Sequence, residues 1–228
     1  NFLRGPVTGP ATPPQVDGDG IKLGMDVGAD LGNTNEAWWF PTAHVPGQNW
    51  EDGSPLYSMV WGRTLPGSIM VNEAGDRFCN EAGNYHDLGK RFHTFDPGSY
   101  EYENLPAYLV VDSGYREQYS LLTMAPGEDA PDWVAEGETL RELAAEIGVD
   151  PDGLEATVEE FNEHAREGVD PAFGRGETAY DAFVGDPDTD HPNLAPLDDP
   201  PFYAIEVHSG IIGTKGGLIT QSDGAVLD

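Results

Sequence analysis

The chain of 228 residues has one cysteine, three lysines and no long hydrophobic run, and each shortage excludes a class of protein. Cys79 alone cannot close an internal disulfide. No stretch approaches the ~18 consecutive apolar residues that a membrane helix needs, and no signal-peptide pattern is read at the start, so a cytoplasmic location is expected. Positive charge is scarce: 11 Lys and Arg stand against 41 Asp and Glu, a formal net charge of −30. A nucleic-acid backbone needs a basic stripe to release its counterions, which excludes DNA and RNA as partners. The same field repels anionic lipid head groups. Soluble partners and small molecules remain. So few lysines among so many acids suits a high-salt cytoplasm, where acidic side chains hold water and repel neighbours. A halophilic host is the expectation; an ordinary acidic protein is the simpler alternative.

What is present is enough for a core: 38% hydrophobic residues, with 5 Trp, 9 Tyr and 9 Phe. The 29 glycines and 19 prolines fall below the roughly 25–30% that marks low complexity, so they predict many turns. Gly18-Asp19-Gly20 introduces Ile21, Met25 and Gly28 at helical spacing, which predicts a short helix from Asp19. Trp38-Trp39-Phe40-Pro41 reads as an apolar cluster ended by proline. Residues 67–72 predict a strand leading through the turn Glu73-Ala74-Gly75-Asp76 into a hairpin, and Tyr108–Asp112 predicts a buried strand. Thr139-x-x-Glu142 is a capping box ahead of Leu140, Leu143, Ala144 and Ile147, closed by Gly148. Asp150-Pro151 then opens a second helix carrying Leu154, Val158, Phe161 and Ala165. The segment 170–201 reads as loop, and 202–207 and 218–220 as strands with a turn at Asp223-Gly224.

Motifs with a direct chemical meaning are few. Gly18-Asp19-Gly20-Ile21-Lys22-Leu23-Gly24 is one residue too long for a dinucleotide fingerprint and follows no buried strand, so it serves at most as one edge of a cofactor site, or as a plain helix start. The six histidines show no zinc spacing. Asp186-x-Asp188-x-Asp190 begins like a calcium loop but has His191 where glycine belongs and Leu197 where glutamate belongs, so it reads as a solvated acidic loop. No metal site is expected. No serine lies in a G-x-S-x-G elbow. The run Gly210-Ile211-Ile212-Gly213-Thr214-Lys215-Gly216-Gly217 would let backbone approach a flat ligand, or simply join two strands.

Five segments taken in order, Gly18-Asp19-Gly20, Trp39-Phe40-Pro41-Thr42, Gly75-Asp76-Arg77-Phe78-Cys79-Asn80-Glu81, Pro201-Phe202-Tyr203-Ala204 and Gly213-Thr214-Lys215-Gly216-Gly217, resemble the fumarate reductase and succinate dehydrogenase flavoprotein family. The branch that the chain resembles most is that of the 3-ketosteroid Δ1-dehydrogenases. The resemblance implies an α+β fold: the cap, or substrate, domain of a two-domain flavoprotein, with flanking segments of its FAD-binding α/β domain. The implied division is 1–45 for the trailing part of the FAD-binding domain, 46–197 for the cap and 198–228 for the return into the FAD-binding domain. The start at Asn1-Phe2 without an initiator Met, and the end inside a strand-like run at Asp228, read as those of a fragment. On this reading segments completing the flavin site lie outside it, and the fragment alone is expected to be inactive.

The resemblance also implies site residues. The histidine that dicarboxylate enzymes of the family place before Pro-Thr matches Phe40, their second histidine falls near Ile212, and their proton-donating arginine matches Tyr85. Replacing imidazole, imidazole and guanidinium by Phe, Ile and Tyr would leave a dicarboxylate without counter-charges. Fumarate is therefore not the expected substrate; an apolar cyclic ketone, steroid-like, is. Tyr85 is the implied catalytic residue, removing an α-proton while hydride leaves the β-carbon for flavin N5. An ordinary phenol titrates near ~10, so that role calls for nearby donors or positive charge. Phe40, Trp39 and Ile212 are the implied substrate contacts, and Asp19, Gly20, Thr214, Gly216 and Gly217 the implied contacts to FAD. Arg175 is expected to pair with a neighbouring acid such as Asp181. The partners implied are the ketone and an electron acceptor. Two alternatives stand beside this: a flavin-dependent ene-reductase, and a non-catalytic module that binds a ligand or partner through Trp38, Trp39 and Phe40.

Overall fold

A computed structural model describes residues 3–227. The reading of the chain ends rests partly on Asn1, Phe2 and Asp228, which lie outside them. In order the elements are α1 (Asp19–Asp26), β1 (Leu31–Gly32), β2 (Ala37–Asn49), β3 (Pro55–Met59), β4 (Ser68–Asn72), α2 (Tyr85–Gly89), β5 (Phe95–Asp96), β6 (Glu101–Tyr102) and β7 (Ala107–Asp112). There follow α3 (Ser113–Gln118), β8 (Ala135–Gly137), α4 (Leu140–Ile147), α5 (Pro151–Ala165), α6 (Ala179–Val184), β9 (Phe202–Thr214) and β10 (Gly217–Leu218). The fold is mixed α and β.

An antiparallel sheet in the order β3-β2-β9-β7-β4, with β8 also on β9, organises the chain. The 13-residue strand β9 joins its two halves: Phe202–Val207 pairs with β7, and His208–Thr214 pairs with β2. Both faces of the β4-β7-β9 half are covered. Met70, Leu109, Val111, Ile205 and Val207 pack on one side with Phe78, Leu88, Phe92 and Tyr115. Ile69, Val71, Val110 and Ala204 pack on the other with Leu143, Leu154, Val158 and Phe161 of α4 and α5. Burial on both faces is why Ile69-Met70-Val71 and Leu109-Val110-Val111 are unbroken apolar runs instead of alternating ones.

The helix pair forms as its caps predict. Thr139 and Glu142 exchange capping hydrogen bonds, Gly148 turns left-handed at φ 74°, and the Asp150 side chain accepts from the Asp152 and Gly153 N–H groups beside the first-turn Pro151.

Three local expectations change. Strand β4 pairs with β7, and its return through Gly75 reaches only the single bridge Val71–Arg77, because the chain then turns inward, placing Phe78 and Cys79 in the core and burying Glu81. The Trp-Trp-Phe-Pro cluster does not end at its proline; β2 runs on to Asn49. Opposite Pro41, both backbone groups of Ser209 face the other way, its N–H donating to Thr8 Oγ1 and its carbonyl accepting from Thr8 N–H, so the missing proline N–H leaves nothing unpaired. Within 170–201 the short helix α6 forms behind an N-cap at Thr178.

The flank is thinner. Gly24 of α1 lies so close to Leu218 that a methyl group there would sit 2.4 Å from its side chain, and β1 pairs with β10. Leu23, Met25, Val27, Ile219 and Val226 of this unit stay exposed. Among the described residues no helix is long and apolar enough to cross a membrane.

Candidate functional site

The Arg77-Phe78-Cys79-Asn80-Glu81 segment builds the platform of the site. The Glu81 carboxylate is fully buried and accepts from Arg77 Nε at 2.9 Å and Nη2 at 2.7 Å, from Arg175 Nη1 at 3.1 Å and from the Met70 N–H at 3.0 Å. Arg77 also grips Asp170 with both terminal nitrogens, at 3.0 and 2.9 Å, and lies between the rings of Phe161 and Phe173. Burial works to raise the Glu81 carboxyl, but the Arg77 and Arg175 guanidiniums outweigh it and hold it at about 2. Burial likewise works against charge on Arg77, and Glu81 and Asp170 overcome it, raising its pKa. Arg175 pairs with Glu81 and not with Asp181, correcting the expectation from sequence. Asp181 instead accepts from Asn80, Gly176 and Thr178. Asn80 turns its own carbonyl to the Ala82 and Gly83 N–H groups, closing the turn that leads into α2.

This platform sets the position of Tyr85, the first residue of α2. Asn84 caps the helix by accepting from the His86 N–H at 3.0 Å. Its last residue, Gly89, rests on the β2 backbone; a methyl group there would fall 2.6 Å from Trp39 Cβ and 3.3 Å from Phe40 N. Only glycine allows so close an approach, and the approach stacks the Tyr85 ring on that of Phe40, with centroids 4.8 Å apart. Trp61 completes the cluster edge-on, 4.7 Å from Phe40 and 6.2 Å from Tyr85. Beside it opens a groove of about 550 Å³ lined by Met59, Trp61, Leu122, Pro126 and Val184.

Arg63 is wholly buried with its guanidinium 5.6 Å from the Phe40 ring centroid. Its Nη1 donates to the Glu81 carbonyl, and burial pushes its pKa down to about 10. It remains a cation at neutral pH.

The pleat of the sheet sorts the other predicted contacts. Trp39 and Ile211 are cross-strand partners packed into one small core with Ala37, so Trp39 faces away from the Phe40–Tyr85 stack. Its ring lies against His93. Phe40 is as fully buried as Trp39, so within the stack it is the layer beneath Tyr85 and Trp61, which carry the accessible part; the sequence expectation of a direct Phe40 or Trp39 contact is corrected to this supporting place. Ile212 and Trp38, next along their strands, point to the opposite side and are 39% and 44% exposed. Phe40 and Tyr85 are thus brought together and Trp39 is not among them; Ile212 lies in the register shift opposite Trp38, exposed and without a contact to the stack. Trp61 and Arg63, which no recognised motif marks, belong to that stack and its support. Their only signal was an aromatic-glycine-arginine run directly after an apolar strand.

Asp19 and Gly20 lie exposed at the start of α1, where Asp19 pairs with Lys22 at 3.2 Å. Thr214 ends β9 and Gly217 opens β10, which packs on α1, so the two glycine-bearing segments belong to one small unit. Gly216 approaches the Thr34 backbone too closely for a side chain. Gly20 and Gly217 differ: a methyl group would meet nothing within 4 Å, and neither has a left-handed backbone. Packing and conformation do not require glycine there. Bare backbone at both places, next to exposed Leu23 and Ile219, fits the approach of a flat ligand.

A family model for the FAD binding domain matches residues 8–228, and the chain belongs to this FAD-binding family. It is 46% identical over 220 residues to the 4-oxocyclohexanecarboxylate 2-dehydrogenase of Sinomonas cyclohexanicum, covering 95% of this chain and 38% of the relative. It is 40% identical over 221 residues to the 3-oxosteroid 1-dehydrogenase of Mycobacterium tuberculosis strain H37Rv, covering 92% and 38%. Among solved structures, 3-ketosteroid delta1-dehydrogenase from Sterolibacterium denitrificans, in complex with 1,4-androstadiene-3,17-dione, superposes with a TM-score of 0.86 at 38% identity. That superposition covers 96% of this chain and 40% of the other. The chain therefore spans about two-fifths of the length of these relatives.

Proposed function

We propose that residues 46–197 form the cap of a FAD-dependent dehydrogenase, that 1–45 and 198–228 are its flanks in the FAD-binding domain, and that the whole enzyme desaturates a cyclic ketone. The stack of Tyr85 on Phe40, with the exposed Trp61 beside it, carries this reading. A saturated ring lies well against the rings of Trp61 and Tyr85, backed by the buried Phe40, and a small diacid finds no paired cations among them. The names of the relatives, a 3-oxosteroid and a 4-oxocyclohexanecarboxylate dehydrogenase, point to the same substrate class.

Asp19, Gly20, Thr214, Gly216 and Gly217 would hold FAD, the glycines by backbone. FAD, when bound, supplies the acceptor for the hydride that leaves the β-carbon. The chain's own residues do the rest. Trp61 and the Tyr85 ring hold the substrate ring and exclude water, with Phe40 packed beneath them, and the Tyr85 oxygen, acting as the phenolate, takes the proton from the α-carbon, whose C–H electron pair becomes the new C=C bond. The buried Arg77–Glu81–Arg175 platform fixes Tyr85 by fixing the turn before it.

The test uses the full-length protein loaded with FAD. Anaerobic mixing with a cyclic ketone should bleach the flavin absorbance, and Tyr85→Phe should slow that bleaching by roughly 10²-fold, the usual scale for losing a general base. Flavin that no cyclic ketone bleaches would overturn the reading, and an unaltered rate in Tyr85→Phe would remove Tyr85 from it.

A further inference from the structure

The aromatic face is not wholly apolar. At its edge Lys215 places Nζ 4.3 Å from the Trp38 ring centroid and 2.9 Å from His86 Nε2. His86 directly follows Tyr85 on α2, so this cation touches the helix that carries the phenol. The chain has 41 acids for 11 bases, and seven of those bases lie within 4.0 Å of a described carboxylate. Lys215 has none among the described residues. Its neighbours are a π face and an imidazole that burial, followed by the charges of Lys90 and Lys215, holds below its ordinary pKa against the opposing pull of Glu36 and Asp87; Glu36, 3.7 Å from His86 Nε2, is itself shared between Arg4 and Lys90. The π face and the imidazole position the ammonium without neutralising it.

An unpaired, half-buried cation in a chain of net charge −30 is a site that the protein itself could have filled and did not. Its place defines the missing anion. Trp38 and Phe40 are two residues apart on β2, so their side chains stand ~7 Å apart on one face. Lys215 sits on the first and Tyr85 on the second. That spacing suits one six-membered ring with its reacting α-carbon at Tyr85 and a carboxylate on the far carbon at Lys215.

We infer that Lys215, steadied by Trp38 and His86, is a specificity-determining residue that binds the carboxylate of a monocyclic keto acid. The inference rests on the dehydrogenase reading above and narrows its substrate. It also amends the expectation of a site stripped of cations: three grips for a dicarboxylate are gone, but one cation for a monocarboxylate remains. Trp38, assigned no role in the reaction by the sequence, becomes the support of that cation.

The experiment compares 4-oxocyclohexanecarboxylate with its methyl ester on the full-length, FAD-loaded enzyme, and measures binding of unreactive cyclohexanecarboxylate by calorimetry at low and high salt. The wild type should favour the acid over the ester. Lys215→Met should cut that preference by ~10- to 100-fold through KM and weaken cyclohexanecarboxylate binding equally, the scale of one charge-assisted contact. Lys215→Arg should restore most of both. Salt should weaken binding to the wild type and not to the Met variant. Equal losses for acid and ester, or a loss of FAD affinity in Lys215→Met, would assign the lysine to the cofactor and overturn the inference. A wild type that oxidises a neutral ketosteroid and ignores the keto acid would overturn it while leaving the dehydrogenase reading intact. Flavin reduced by no ketone at all would remove both.

Discussion

Two regions joined by a single turn treat polarity in opposite ways. The Arg77–Glu81–Arg175 platform buries full charges where water cannot reach. The face that begins at Tyr85 leaves Trp38, Trp61 and Ile212 substantially exposed. Ordinary soluble proteins do the reverse at both places. The difference separates the two jobs. Buried ions in fixed hydrogen-bond geometry define one arrangement of the turn, because any displacement strands a charge. Exposed aromatic rings are surface kept free for another molecule.

The sharpest way to break the comparison is to remove the centre of the platform. Glu81→Gln should destabilise the fold by about 3–5 kcal/mol, since Arg77 and Arg175 would lose their shared counter-charge in a dry site. Urea denaturation of the full-length protein measures it. A loss below ~1 kcal/mol would mean that the ions are hydrated and that the platform is ordinary surface. Tyr85→Phe belongs to the other region and should cost rate, as stated above, with stability changed by less than ~1 kcal/mol.

Acid provides a second test without mutation. The Glu81 carboxyl is held at about 2 in the fold, where burial works against its charge and Arg77 and Arg175 outweigh burial; in an unfolded chain it titrates near ~4.3. Its contribution is therefore fully present above that unfolded value and is lost as pH falls from there to about 2. Wild-type stability should decline across that window, and the decline should be shallower in Glu81→Gln. Parallel curves would show that Glu81 titrates alike in both states.

The smallest expected effect marks the boundary between buried and exposed ions. Arg141 reaches Asp152 and Glu155 from the surface of the helix pair. Arg141→Ala should change the urea midpoint by less than the equivalent of ~0.5 kcal/mol, because water screens both charges. A cost comparable with that of Glu81→Gln would erase the distinction.

Much of this was legible from sequence, and what was legible is local. The α4–α5 pair could be read because a capping box, an N-cap followed by proline and a terminal glycine all act within one helical turn of the residues they pair with. The strand β7 was legible as a β-branched run. The helix α6 was hidden because six residues hold too few turns to show a period. Arg175 looked toward Asp181 because proximity along the chain was the only guide, whereas Glu81, its partner, is 94 residues away.

The candidate site divides in the same way. Tyr85, Phe40 and Ile212 could be named by position within motifs. Trp39 and Trp38 could not be told apart, since adjacent strand residues point to opposite faces and a register shift between Ala37 and Trp39 decides which face is which.

By itself the amino-acid sequence determined the excess of acid, the caps that start and stop the α4–α5 helix pair, and the motif order that marks the family. Only the tertiary structure decided that Glu81 would gather two arginines, that Phe40 would meet Tyr85, and that Lys215 would reach His86 across 129 residues of chain. The reason is range: capping and turn formation act through the backbone over a few residues. The environment of a side chain depends on sheet register and burial, which the whole fold sets at once.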